Sequence, residues 1–221
     1  MLCLRLMRVL AAAFQCMQHS NLGVMDSVTW DWGLFEWLNF DGPQWLDVAM
    51  TKISGIAMWV PLYLLIIYMV WRRYSWRGLL AFAVAMGVAI SLADMVSGIF
   101  KHQGIFADLW PSFPARPRPM HTVEGLDFVT NGYYTGNKFG TVSGHSATIV
   151  AIALLSAMVI RRRWFTVLIA LVATLVCYSR IYLACHFPQD ILLGAGVGVL
   201  SALCGIGLFH LVKGKEVNND Y

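Results

Sequence analysis

Apolar residues in this chain fall in long blocks separated by short polar breaks. Five blocks approach or reach the roughly 20 residues that a helix needs to cross a bilayer: Ile53–Trp71, Gly78–Phe100, Ser146–Ile160, Trp164–Tyr182 and Asp190–Val212. The third is short, and Ser143-Gly144-His145 can extend it. None carries a sustained heptad seam, so membrane-type packing is expected rather than a coiled coil. Pro61 sits inside the first block, where a membrane helix tolerates it. Gly194-x-x-x-Gly198 in the last block is a close-packing pattern. The predicted architecture is an all-α, polytopic membrane helix bundle with about five transmembrane helices.

Upstream, residues 28–50 intersperse Trp30, Trp32, Trp37 and Trp45 with acidic and polar residues. This reads as an amphipathic segment lying in the membrane interface, where indoles are favoured, or as a loop packed on the bundle. In residues 1–24, Arg5 and Arg8 precede a weak apolar run, Val9–Phe14. That pattern fits a short signal segment, or an extension upstream of a true start at Met25; the second is preferred. The expected organisation is an N-terminal extension and interfacial segment at 1–50, a transmembrane unit at 51–212 and a tail at 213–221.

Basic residues close several blocks: Arg72-Arg73 with Arg77, then Arg161-Arg162-Arg163, then Lys213 and Lys215. With five crossings these clusters share one side, which the positive-inside rule makes cytoplasmic. The opposite side also carries cations (Lys52, Lys101, Arg116, Arg118, Lys138 and Arg180), so the asymmetry is moderate.

Composition narrows the class. Of 221 residues, 58% are hydrophobic and 13% charged, which excludes an ordinary soluble domain. A net charge of +4, scattered along the chain, is no nucleic-acid footprint. Cys3, Cys16, Cys177, Cys185 and Cys204 show no metal-ligand spacing, and Cys185 reads as a core residue rather than a reactive thiol.

The chemistry gathers in three stretches. Ser179-Arg180, then five residues to His186, then three to Asp190, lies between two apolar blocks. Ionisable groups at a membrane boundary are costly and point to function. On a helix, His186 and Asp190 share a face, so the carboxylate can fix the imidazole tautomer, while Arg180 offers a fork for phosphate oxygens. Ser143-Gly144-His145 opens the third block, and a hydroxyl with a free N–H at a helix start suits an anion. Between Lys101 and Val142 runs a loop of roughly forty residues, a length that is usually functional or disordered. It holds Arg116-Pro117-Arg118-Pro119, two arginines stiffened by prolines, and further on Tyr133 and Tyr134. Alone, the arginine-proline pairs read as a solvated turn and Ser-Gly-His as a chance triplet. Asp94, two turns before Lys101, reads either as a support for that cation or as a carboxylate reaching interfacial water. His210 reads as an interfacial histidine, and His19, His102 and His121 have no partners at motif spacing.

Together these stretches resemble the type 2 phosphatidic acid phosphatase (PAP2) superfamily, over about residues 50–212. Its signatures are Lys-x6-Arg-Pro, Pro-Ser-Gly-His and Ser-Arg-x5-His-x3-Asp. The third is matched in full, and the second with Val142 in place of proline. The first is stretched, with fourteen residues between Lys101 and Arg116 and sixteen between Lys101 and Arg118. The resemblance implies that His186 attacks phosphorus, that Asp190 supports its imidazole, and that His145 protonates the leaving oxygen and then activates water. Lys101, Arg116 or Arg118 (with Arg118 preferred), Ser143, Gly144 and Arg180 would hold the phosphoryl oxygens. It also implies no metal and no cofactor. The expected activity is hydrolysis of a lipid phosphate monoester or pyrophosphate, with lipid A, undecaprenyl pyrophosphate and phosphatidylglycerol phosphate in range. The expected setting is a bacterial inner membrane, with the site facing the periplasm or cell exterior. A lipid phosphotransferase using the same site and a non-catalytic lipid-binding protein are the alternatives.

Overall fold

A computed structural model describes residues 24–122 and 137–213. Arg5, Arg8, Val9–Phe14, Cys3, Cys16, His19, Tyr133, Tyr134 and Lys215 lie outside these residues, and so does the expectation about the N-terminal extension.

The described chain is helical: α1 Val24–Leu38, α2 Gln44–Ser54, α3 Val60–Ile99, α4 Gly144–Ile160, α5 Arg163–Tyr182 and α6 Pro188–Lys213. Single 3-10 turns lie at Ala57–Trp59, Ala107–Leu109 and Pro119–His121. The stretch Ala57–Ile99, α5 and α6 are long and apolar enough to cross a membrane, and α4 is a shorter apolar helix. The chain is thus a multi-pass membrane protein with an all-α fold.

Helix α3 takes in most of the first two apolar blocks, the first of which starts back in α2 at Ile53, but it is not a straight rod. Ser75 breaks it with a left-handed φ of 58° and an extended ψ of −174°. At about 1.5 Å per residue a straight helix would hold Tyr63 and Asp94 roughly 46 Å apart. Instead both line one cavity, so the chain doubles back at Ser75. The break falls in the basic segment between the two blocks, where water can satisfy freed backbone groups.

Small residues set the packing. In lipid there is no hydrophobic force between helices, so close van der Waals contact must hold them together. A Cβ at Gly194 would fall 2.4 Å from the Ser143 carbonyl oxygen, and one at Gly198 2.4 Å from that of Ala147. The α6 backbone therefore lies directly on α4. Further along, Gly205 meets Ala85 and Ala89 of α3, whose stripe Ala81, Ala85, Ala89, Ala93 is buried at every fourth position. Lipid-facing positions carry larger residues instead, among them Leu64, Tyr68, Leu171 and Leu192.

The two ends of the bundle differ. At one end Arg73 donates to the Ile160 carbonyl and the Tyr74 hydroxyl to that of Val159, while Lys213 sits over the Tyr74 ring. The basic clusters therefore meet there. At the other end lie the described parts of the loop between α3 and α4, the link between α5 and α6, and the two N-terminal helices. Helix α1 is no detached surface element: Phe35 and Trp32 pack on Phe187 in that link, and the Asn39 side chain donates to the carbonyls of Ile181 and Tyr182.

Candidate active site

Helix ends place Lys101, Ser143, Gly144 and His145, and the loop between α3 and α4 places Arg118. Lys101 follows the last residues of α3, its backbone N–H bonded to the Gly98 carbonyl, and it is buried. Arg118 is held by its backbone N–H to the Lys138 carbonyl and by Nε to the Phe139 carbonyl. Ser143 is the N-cap of α4 and its hydroxyl accepts from the Ser146 N–H at 3.3 Å. Gly144 is then the first helical residue, with an N–H that has no intrahelical acceptor. His145 comes next and faces the cavity.

The link from α5 to α6 turns sharply. Both the Cys185 and His186 N–H groups return to the Arg180 carbonyl, and Ala184 takes a left-handed φ of 52°. Helix α6 then begins with Pro188 at its first position, where a missing N–H costs nothing. Asp190 is the third residue of that helix. Its Oδ2 accepts from the Phe187 N–H at 3.1 Å, one half of a capping box. The same oxygen stands 3.5 Å from His186 Nδ1. Helix start and imidazole support thus share one carboxylate, a physical reason for the three-residue spacing. With Nδ1 toward Asp190, Nε2 is left as the nucleophilic nitrogen.

The helix ends meet because α4 and α6 touch at Gly194. The Ser143 N–H donates to the Asp190 carbonyl at 3.0 Å and the Ser146 hydroxyl to that of Ile191 at 2.8 Å. One cavity of about 340 Å³ results. Lys101, Arg118, Gly144, His145 and His186 form its polar end. Ile53, Trp59, Tyr63, Ile149, Ile152 and Val176 form an apolar wall.

Electrostatics suit an anion. Burial, with Arg118 next, lowers Lys101 to about 8, so near neutral pH it is a poorly hydrated cation awaiting a partner. Burial and the neighbouring Arg118, Arg180 and Lys101 charges hold His186 well below the usual imidazole range. It is therefore neutral, the form that can attack.

The remaining expected residues occupy different places. Arg180 is buried at the last turn of α5, and its Nη1 donates to the Ser54 hydroxyl at the cavity's edge. Ser143 is buried beneath Gly144. Arg116 is not among the cavity-lining residues. Its guanidinium lies 3.5 Å from the Phe187 ring centroid and its Nη1 is 2.5 Å from Asp31 Oδ2. Of the two arginines, Arg118 faces the cavity. Asp94 lines the same cavity as Lys101. Among the described residues it makes no ion pair. Two residues escaped the sequence reading. A Cβ on Gly140 would fall 3.0 Å from the Arg118 side chain, 3.2 Å from Asp190 Oδ2 and 3.4 Å from His186 Nδ1, and nothing local in the sequence marks it. Asp31 is fully buried, and the signal available was an acid flanked by Trp30 and Trp32.

Comparison with known proteins shows the family. The family model of the PAP2 superfamily matches residues 82–213. The chain belongs to the PAP2 superfamily. It is 32% identical over 175 residues to a lipid A 4'-phosphatase of Bacteroides thetaiotaomicron, covering 78% of this chain and 72% of that one. It is 30% identical over 168 residues to a lipid A 4'-phosphatase of Porphyromonas gingivalis, covering 76% and 67%. The PAP2 crystal structure of a phosphatidylglycerolphosphate phosphatase from Bacillus subtilis shares the fold, with a TM-score of 0.60 at 21% identity and 90% of each chain covered.

Proposed function

We propose that this PAP2 membrane lipid phosphatase removes a phosphate monoester from a glycolipid of the lipid A type, by way of a phosphohistidine on His186. The carrying observation is that His145 and His186, from different helix ends, line one cavity with Lys101 and Arg118, and that Ile53, Trp59, Tyr63, Ile149, Ile152 and Val176 line it too. A phosphate fits the first set and an acyl or prenyl chain the second. The names of the two relatives at 30% identity or more support lipid A among such lipids.

In the first step His186 Nε2 forms a bond to phosphorus as the bond to the lipid oxygen breaks, and His145 gives that oxygen a proton. Asp190 steadies the imidazolium that results. In the second step His145, now neutral, takes a proton from water, whose oxygen displaces the imidazole and releases inorganic phosphate. Lys101, Arg118, Arg180 and the Gly144 N–H stabilise the charge that builds on the equatorial oxygens. Ser143 acts by capping α4 so that Gly144 is presented. Residues 51–212 would form the phosphatase unit.

The proposed orientation places the cavity at the periplasmic face of a bacterial inner membrane. Four of the cations on the cavity side (Lys101, Arg116, Arg118 and Arg180) are buried in the site or paired. Discounting them leaves a clear excess of exposed arginine at the other end, as the positive-inside rule requires of a cytoplasmic face.

The test is phosphate release from purified protein given lipid A phosphate, undecaprenyl pyrophosphate and phosphatidylglycerol phosphate, with no acceptor lipid added. Fastest release from lipid A phosphate is expected. Release only after adding an acceptor would favour the phosphotransferase reading, and no release from any of them would defeat the proposal.

A further inference from the structure

We propose that Asp31, on the N-terminal helix α1, is a positioning residue for the His186–Asp190 pair, acting through Arg116 and the Gln189 N–H. This rests on the phosphatase reading above. The start of α6 presents N–H groups with no intrahelical acceptor. Phe187, at the N-cap position, has no side-chain acceptor to offer. Asp190 reaches back to the Phe187 N–H, and Asp31 Oδ1 supplies the next acceptor from outside, taking the Gln189 N–H at 2.9 Å. A carboxylate at a helix start is favoured by the helix dipole.

The other oxygen of Asp31 binds Arg116 Nη1. Arg116 lies on the Phe187 ring, the residue whose N–H holds Asp190. Its carbonyl accepts from the Gly140 N–H at 2.8 Å, and Gly140 abuts both Asp190 and His186. Two carboxylates, Asp31 and Asp190, therefore share one corner with the Arg116 guanidinium. Asp31 is fully buried and can pair fully with it, which leaves the Asp190 carboxylate to its own helix start and to His186. Without Asp31, Arg116 would be left with Asp190 as the nearby anion, and Asp190 would turn from the imidazole. The Phe35 and Trp32 contacts to Phe187 fix the distance over which this clamp works.

The test compares Asp31→Asn, Asp31→Ala and the double variant Asp31→Asn/Arg116→Gln in the full-length protein. Asparagine keeps an acceptor for Gln189 but loses the charge. The expected result is a fall in kcat of at least tenfold for Asp31→Asn with KM within about twofold, and recovery of most of that loss in the double variant, where the Arg116 charge no longer competes. Hydrogen exchange across residues 183–191 should rise in Asp31→Ala and not in the double variant, a readout that holds whichever lipid is the substrate. An Asp31→Asn enzyme with parental kcat, a change confined to KM, or a double variant no better than the single one would each overturn the proposal. If Asp31→Ala fails to fold, the asparagine pair still decides it. Failure of the parent protein to release phosphate would instead count against the phosphatase reading, and the exchange data would then judge the clamp alone.

Discussion

The α-carbon of Gly194 rests on the carbonyl of Ser143, so close that a methyl group there would fall 2.4 Å from the oxygen. This contact joins the start of α4, with His145, to the start of α6, with Asp190. A packing contact between two helices thus fixes the relation between the proposed acid and the proposed nucleophile.

Gly194→Ala should therefore damage more than stability. Overpacking costs roughly 1–3 kcal/mol, and the helix ends must part to relieve it. The expected outcome is a lower melting temperature in detergent together with at least a tenfold loss of kcat. Gly196 has nothing within 4 Å of its would-be Cβ, so Gly196→Ala should leave both unchanged within twofold. Equal behaviour of the two variants would contradict the packing argument.

Arg118 and Lys138, two cations of one loop, should separate kinetically. Arg118→Ala removes a cation from the cavity and should lower kcat/KM by about a hundredfold or more, the usual scale for losing a transition-state donor. Lys138 is exposed on the same loop, and Lys138→Ala should cost less than twofold. Steady-state kinetics on one lipid substrate suffices for the comparison.

Activity should decline on the alkaline side because of Lys101. Its ammonium, lowered to about 8, is charged below that pH and neutral above it. Substrate capture needs the charged form, so kcat/KM should fall as pH rises through about 8. A bound phosphate dianion favours the ammonium, so the corresponding limb in kcat should lie at higher pH. Lys101→Arg, charged throughout, should remove the limb from kcat/KM; an unchanged profile would assign it to another group.

Trapping should identify the covalent step. Quenching in alkaline detergent with a labelled substrate should leave a base-stable, acid-labile label on the parent protein and none on His186→Ala, which should be folded and inactive. With an aryl phosphate, whose leaving group needs no proton, His145→Ala should still become labelled and then turn over slowly. A purified His186→Ala variant with near-parental turnover would remove the nucleophile assignment.

Much of this fold was legible along the chain because bilayer thickness forces apolar blocks of similar length. The breaks at 72–77, at 161–163 and around 183–187 coincide with real changes of direction, since only there can backbone groups leave the helical pattern near water. Lys101, His145 and His186 were legible for a related reason: ionisable groups beside such blocks need a purpose. The different surroundings of Arg116 and Arg118 were not legible. They are set by Asp31, 85 residues away from Arg116, and no local pattern signals a pairing made by tertiary docking. Gly140 was hidden for the same reason, its neighbours being Arg118, His186 and Asp190.

Helices α4 and α6, in backbone contact, leave no slack for one to slide past the other. Trp59, Tyr63, Ile149 and Ile152 line the same cavity with bulky side chains that can rotate where that backbone contact cannot slide. A lipid would then slip in sideways from the leaflet while the phosphate-handling end stays rigid, and crowding of the surrounding acyl chains, rather than diffusion through water, would govern how often a guest arrives.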